Sequence, residues 1–99
     1  MKLRYQSRAS AEFHQAVISY LEVNPQAARK LLNEVESGLR RVQLFPELCR
    51  RWLGDYRKFR LPSFPYGWFY RVEPGEIVIY AVLHLHHDPA AIAARLHER

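Results

Sequence analysis

The spacing of apolar residues changes partway along the chain, and this change restricts the folds that it can adopt. Between residues 13 and 42, apolar side chains recur every three or four positions, as they do on one face of an α-helix. From residue 56 onwards they alternate with polar residues or run continuously, which is typical of strands in a sheet. The pattern therefore predicts helices followed by a sheet, which is an α+β protein.

Two helices are predicted in the first half, after a short strand in "KLRYQ". Ser7 or Ser10 in "SRAS" would cap the first helix, because both are favoured N-cap residues. Asn24 and Pro25 end that helix and begin a second one, with Asn24 as the N-cap and Pro25 in the first turn. Pro46 ends the second helix because proline cannot donate the next backbone hydrogen bond. These two helices are expected to form a hairpin.

Three strands and a short helix are predicted in the second half. The strands are "YRKFRL", "YGWFYRV" and "EIVIYAVL", and Pro74 with Gly75 suits a tight turn between the last two. The last strand is nearly all apolar, so we expect it to be central in the sheet. Asp88 and Pro89 would start a C-terminal helix. The prediction is a single domain over residues 1–99 with the order β-α-α-β-β-β-α, in which a helical hairpin packs on a small, mainly antiparallel sheet.

Charge and cysteine content limit the partners and the cellular environment. Fifteen Lys and Arg residues against ten Asp and Glu residues give a formal charge of +5, which favours nucleic acid or an acidic protein segment as partner. Cys49 is the only cysteine, so an intrachain disulfide is excluded and a reducing compartment is favoured. The longest apolar run, "IVIYAVL", is far shorter than the roughly 20 residues of a membrane helix. We therefore expect a cytoplasmic protein without membrane association.

The segment "KFRLPSFPYGWFYRV", residues 58–72, mixes basic and aromatic residues. On a strand, Lys58 and Arg60 share one face about 7 Å apart, close enough to contact neighbouring phosphates, although a solvated edge strand has the same pattern. The aromatic residues of the next strand could stack bases, but we expect them in the core because the helices need an apolar surface to cover. This aromatic stripe consists of Phe64, Tyr66, Trp68, Tyr70 and Val72.

The histidines after the last predicted strand are the main candidates for acid and base chemistry. His84 and His86 would share a face, but no further ligand follows at a metal-binding spacing, so neither a metal nor another cofactor is predicted. His86 or His87 is suited to general acid or base catalysis, since imidazole titrates near neutral pH. Cys49 is interpreted as structural, although Arg50 and Arg51 follow it.

The predicted order, together with "NPQAARKLL", "FPYGWFYRV" and "IVIYAVLHLHHDP", resembles the RelE/ParE superfamily of bacterial toxins over nearly the whole chain, especially its ParE-like, plasmid-stabilisation branch. This resemblance implies a growth inhibitor from a type II toxin–antitoxin module. It also implies a cognate antitoxin whose flexible segment wraps the toxin, and the positive charge suits an acidic segment of that kind. Arg57, Arg71 and Arg95 are expected to contact this partner.

Two mechanisms occur in this superfamily. RelE-like members cleave mRNA in the translating ribosome without a metal, whereas ParE-like members inhibit DNA gyrase and have no catalytic centre. If the chain is a ribonuclease, the resemblance implies that Lys58, Arg60, Arg71 and either His86 or His87 carry out catalysis. A third alternative is a basic nucleic-acid-binding domain or an inactive toxin.

One departure from the RelE-like pattern favours gyrase as the target. RelE-like members carry an arginine directly after the tyrosine of the third strand, whereas here Gly67 follows Tyr66. Arg71 would share a strand face with Gly67 but lies four residues further on, about 13 Å away, so it cannot replace that charge. The C-terminal tyrosine of RelE-like members has no counterpart in "AAIAARLHER".

Overall fold

The computed structural model of the protein describes residues 1–97, which form five strands and three helices. The strands are β1 (Lys2–Tyr5), β2 (Arg51–Leu53), β3 (Tyr56–Arg60), β4 (Tyr66–Glu73) and β5 (Glu76–His84), and the helices are α1 (Ser7–Val23), α2 (Pro25–Leu44) and α3 (Pro89–His97). The α+β prediction is confirmed, with one addition, because the link before β3 contains the three-residue strand β2. Residues 98 and 99, which the predicted domain included, lie outside the described residues. Among the described helices, none combines the length and the apolar character needed to cross a membrane.

The five strands form one mixed sheet in the order β1-β5-β4-β3-β2. β1 is parallel to β5, and the other neighbouring pairs are antiparallel. The sequence predicts that β5 is central; it has a neighbouring strand on each side, while the middle strand of the five is β4. β5 contains one extra residue relative to β4, because Phe69 pairs with Ala81 whereas the next residue, Tyr70, pairs with Ile79. This β-bulge lies at Tyr80.

Local capping residues set the start of α2 and α3, as predicted. The Asn24 side chain accepts a hydrogen bond from the Gln26 backbone N–H at 3.0 Å, and α2 ends at Leu44, before Pro46. The Asp88 carboxylate accepts one from the Ala90 backbone N–H at the same distance. Each cap satisfies one of the backbone donors that the first helical turn leaves without a partner.

The predicted cap of α1 is wrong. The N-cap is Gln6, whose side chain makes no capping hydrogen bond, while Ser7 and Ser10 both lie inside the helix. Strand β1 ends one residue before this point, and the Gln6 backbone N–H still bonds the Ile79 carbonyl of β5 at 3.0 Å. The sheet therefore fixes where α1 begins.

The aromatic stripe packs against α1 and α2, which confirms that it belongs to the core. Trp68 and Tyr70 are completely buried, and the Trp68 indole donates a hydrogen bond to the Tyr5 hydroxyl at 2.9 Å. Phe64 is also buried and Tyr66 is partly buried, but Val72 is 40% exposed because it lies beside the end of α2.

The opposite face of the sheet is covered by α3. Phe69 of β4 is fully buried there, in a cluster with Ile92 and Leu96 of α3. The Tyr56 hydroxyl donates a hydrogen bond to the Leu96 carbonyl at 3.1 Å. Helices therefore cover both faces at the centre of the sheet, with the hairpin on one side and α3 on the other.

Candidate functional site

The positive charge of the protein is concentrated between the end of α2 and the end of β3. Residues 40–60 contain seven Lys or Arg residues and two acidic residues, so their formal charge of +5 equals that of the whole chain. Such a concentration of positive charge would attract an anionic partner.

Three of the predicted catalytic cations lie on the face of the sheet that α3 partly covers. Alternation along β3 places Lys58 and Arg60 on this face, and the register pairs them with Phe69 and Gly67 of β4. Arg71 is two residues beyond Phe69 on the same face. Arg60 is exposed, whereas Lys58 and Arg71 are half-buried.

The position that carries an arginine in RelE-like toxins is tightly packed here. Gly67 is buried, and a Cβ atom on it would lie 2.9 Å from Leu85 Cδ2 and 3.3 Å from Lys58 Cγ. Its glycine therefore allows Leu85 and Lys58 to approach the strand closely.

Arg71 is held by neighbouring side chains. Its guanidinium lies 3.6 Å from a carboxylate oxygen of Asp55 and 3.6 Å from one of Glu73, and 5.5 Å from the centre of the Tyr56 ring. Two weak ion pairs and a cation–π contact keep this arginine near the β2–β3 turn.

The three histidines cluster at the end of β5. The His84 ring centre is 4.7 Å from that of His86, 6.0 Å from that of His87 and 5.1 Å from that of Tyr66. Burial lowers the pKa of His84, and the nearby His86 and His87 lower it further. Within residues 1–97 there is no cluster of three His, Cys, Asp or Glu side chains suited to hold a metal ion.

Of the predicted catalytic residues, Lys58 and His87 come together. Both line a small niche between β3, β4 and the start of α3, whose other walls include Trp52 and Phe69. The niche has a volume of about 100 Å³, well below the roughly 300 Å³ or more of pockets that enclose small-molecule ligands. Arg71 lies outside this niche, beside the β2–β3 turn.

The residues predicted to bind a partner are spread over three places. Arg57 lies on the hairpin face and donates a hydrogen bond to the Cys49 carbonyl at 2.6 Å. Arg95 on α3 forms a two-point ion pair with Glu12 of α1, with N–O distances of 2.9 and 3.0 Å. Arg95 also donates to the Tyr80 carbonyl at 3.1 Å. These contacts serve the fold and leave Arg95 only 10% exposed.

Glu12 is the structurally important residue that the sequence did not reveal. Besides the ion pair with Arg95, its carboxylate accepts a hydrogen bond from the Val82 backbone N–H at 3.0 Å. Val82 lies beyond the last β5 residue that pairs with β1, so Glu12 satisfies a strand donor that β1 no longer reaches. Its only sequence signal is a carboxylate beside the apolar face of α1, which is common in helices.

Comparisons with known proteins agree with this fold. The sequence profile described as "ParE toxin of type II toxin-antitoxin system, parDE" matches residues 3–89. A chain from the chromosomal ParDE toxin–antitoxin system of P. aeruginosa superposes with a TM-score of 0.74 at 20% sequence identity, covering 86% of this chain and 96% of that chain. A search of curated protein sequences gave no significant match. Because the profile spans nearly the whole sequence, this chain belongs to the ParE toxin family, within the RelE/ParE superfamily.

Proposed function

We propose that this chain is a growth-inhibiting toxin that binds DNA gyrase without catalysing a reaction and is neutralised by a cognate antitoxin. Family membership supports the toxin role. The observation that carries the choice of mechanism is Gly67, which is buried against Leu85 at the position where RelE-like toxins carry an arginine. Since gyrase works in the cytoplasm, we place the protein there.

The surroundings of the predicted catalytic cations also favour a non-enzymatic mechanism. Cleavage of RNA by its own 2′-hydroxyl requires cations around the phosphate as charge develops. Here Arg71 contacts Asp55 and Glu73, and it lies on the strand about 13 Å from Gly67. The register places Arg71 diagonally across from Lys58, so a phosphate near Lys58 and Arg60 would meet a third cation that is already paired with two carboxylates.

The proposed antitoxin would be an acidic, initially disordered segment. The solved structure of similar fold comes from a chromosomal ParDE toxin–antitoxin system. The charge of residues 40–60 would speed the encounter with such a segment.

The test combines two assays on the same purified protein. In the first, gyrase supercoils relaxed plasmid at several gyrase concentrations; in the second, ribosomes translate a reporter mRNA whose 5′ ends are mapped by primer extension. We expect lost supercoiling and intact mRNA. The toxin concentration for half inhibition should rise in proportion to gyrase, because an inhibitor that acts by binding does not turn over. Unaffected gyrase in the presence of protein that is toxic to cells would contradict the proposal.

The second candidate function is ribosome-dependent mRNA cleavage, and the observation that favours it is the niche shared by Lys58 and His87. It predicts that a variant combining Lys58→Ala and Arg60→Ala loses toxicity, while the control with Arg29→Ala and Lys30→Ala, two exposed bases on α2, keeps it. New 5′ ends that need ribosomes and disappear in the first variant would establish this function. Absence of toxicity in the wild-type protein would instead favour an inactive toxin or a nucleic-acid-binding domain.

A further inference from the structure

An exposed apolar groove lies where α2 ends. Leu44 is 67% exposed, Phe45 63%, Leu48 57% and Val72 of β4 40%, and the four side chains line one concavity of about 440 Å³. Single exposed apolar residues are common on protein surfaces, but a concave cluster of them marks a binding site. Pro46 and the exposed Glu47 complete its lining. We call the concavity formed by the four apolar residues the α2-end groove.

Side chains of the sheet hold the backbone of this groove in place. The Tyr70 hydroxyl donates a hydrogen bond to the Pro46 carbonyl at 2.9 Å, and Arg57 donates one to the Cys49 carbonyl at 2.6 Å. The Leu48 backbone N–H bonds the Phe45 carbonyl at 2.9 Å. A partner that enters a preformed groove loses less free energy in ordering it, so this rigidity favours tight binding.

Basic side chains adjoin the groove. A second concavity of about 190 Å³ begins at Val72 and is lined by Arg51, Arg57 and Arg71, together with two carboxylates, Glu47 and Asp55. Within residues 1–97, Arg51 is exposed and makes no ion pair, and the Arg57 contact is to a neutral carbonyl. The rim therefore retains net positive charge beside an apolar floor.

These properties select one kind of occupant. A second copy of this chain would bring the same positive rim against itself, which is repulsive. Nucleic acid would suit the arginines, but it has no apolar side chain to fill an aliphatic groove. A peptide segment that carries apolar side chains next to Asp or Glu would fill the apolar groove and pair with the arginine rim.

We infer that the α2-end groove and its arginine rim are the docking site for an acidic, apolar-anchored segment of the antitoxin. One or two apolar side chains of that segment would enter the groove, and its carboxylates would pair with Arg51 and Arg57. This inference rests on the proposed function, because it takes the antitoxin as the partner.

The experiment measures binding of the protein encoded by the reading frame adjacent to the toxin gene, used as the purified probe. The groove variant is Phe45→Ser with Leu48→Ser. Its control is Leu21→Ser with Val23→Ser, two exposed apolar residues of α1 outside the groove. The rim variant is Arg51→Glu, with Arg29→Glu as its control. Thermal unfolding of each variant checks that the fold is intact, which we expect because all these side chains are exposed.

We expect the groove variant to raise Kd at least tenfold, since such anchors dominate interface energies, and its control to change Kd less than threefold. The rim variant should slow association at low salt, and this difference should shrink near 0.5 M salt. If the wild type binds the probe and the groove variant binds equally well, or if the control pair weakens binding as much, the inference is overturned while the antitoxin partnership stands. If the folded wild type does not bind the probe at all, the proposed partnership fails, and the docking site with it.

Discussion

The ion pair between Glu12 and Arg95 should hold α3 against the rest of the protein. Substituting Glu12→Gln keeps the side-chain shape and leaves an oxygen that can accept from the Val82 N–H. The new amide group would face the Arg95 guanidinium, which then loses its charge partner while only 10% exposed. Breaking one side of a buried pair costs about 3–5 kcal/mol, and the partial exposure of this pair reduces our expected loss to about 2–3 kcal/mol.

The assay is urea unfolding followed by tryptophan fluorescence, because Trp68 is completely buried and its emission will change on unfolding. A loss of that size lowers the melting temperature by roughly 10–20 °C in a domain of this length. Combining Glu12→Gln with Arg95→Met should cost less than the sum of the two single changes, by about 1–2 kcal/mol, since the residues act on each other directly.

The exposed pair between Glu36 and Arg40 on α2 provides the control. The side chains of Glu36 and Arg40 are 71% and 68% exposed, so Glu36→Gln should cost no more than about 0.5 kcal/mol. If Arg95→Met or Glu12→Gln costs no more than about 0.5 kcal/mol, or if the two changes are additive, the ion pair does not hold α3 against the protein.

Three further outcomes follow from local geometry. Gly38→Ala should destabilise the protein by about 1–3 kcal/mol in urea unfolding, because the added Cβ would overlap Cζ of the buried Phe59. The control, Ser37→Ala on the exposed side of α2, should be neutral. Equal stability of both variants would contradict this packing. Asn24→Ala should lower the free energy of unfolding by about 1 kcal/mol through loss of the α2 cap, and an unchanged urea midpoint would show that the cap contributes nothing. The pKa of His84 is lowered in the folded state, so folding favours its neutral form. The free energy of unfolding should therefore be highest above about pH 6.5 and fall as the pH is lowered below that value. His84→Gln should reduce this pH dependence in thermal melts recorded from pH 8 to pH 5.

The resemblance to toxins rests on the order of elements together with three short sequence segments, and the order can be predicted because each of its signals is local. The Asn24 cap bonds a residue two positions away, as does the Asp88 cap, and the turn before β5 uses Gly75 at a positive φ of 74°. Such contacts depend only on neighbouring residues, so they can be predicted from the sequence alone. The same holds for the aromatic stripe, whose period of two and apolar character predicted burial.

The candidate site was less predictable, because it depends on which elements cover the sheet. The alternation of side chains along the strand predicted that Lys58 and Arg60 share one face. It did not reveal that α3 packs near Lys58 and leaves it half-buried. The short strand β2 has three residues and no clear period, so only its pairing with β3 reveals it. The predicted roles of the cations remain predictions.

The sequence by itself determined the family, the helical hairpin, four of the five strands and the absence of an arginine after Tyr66. Tertiary structure alone decided that Glu12 meets Arg95, 83 residues away, and that Leu44, Phe45 and Leu48 converge with Val72. Helix and turn signals arise from backbone preferences and hydrogen bonds within a few residues, whereas these contacts arise only when helices pack on a bulged, twisted sheet. Where a side chain lies relative to a distant partner depends on that packing, and no local pattern encodes it.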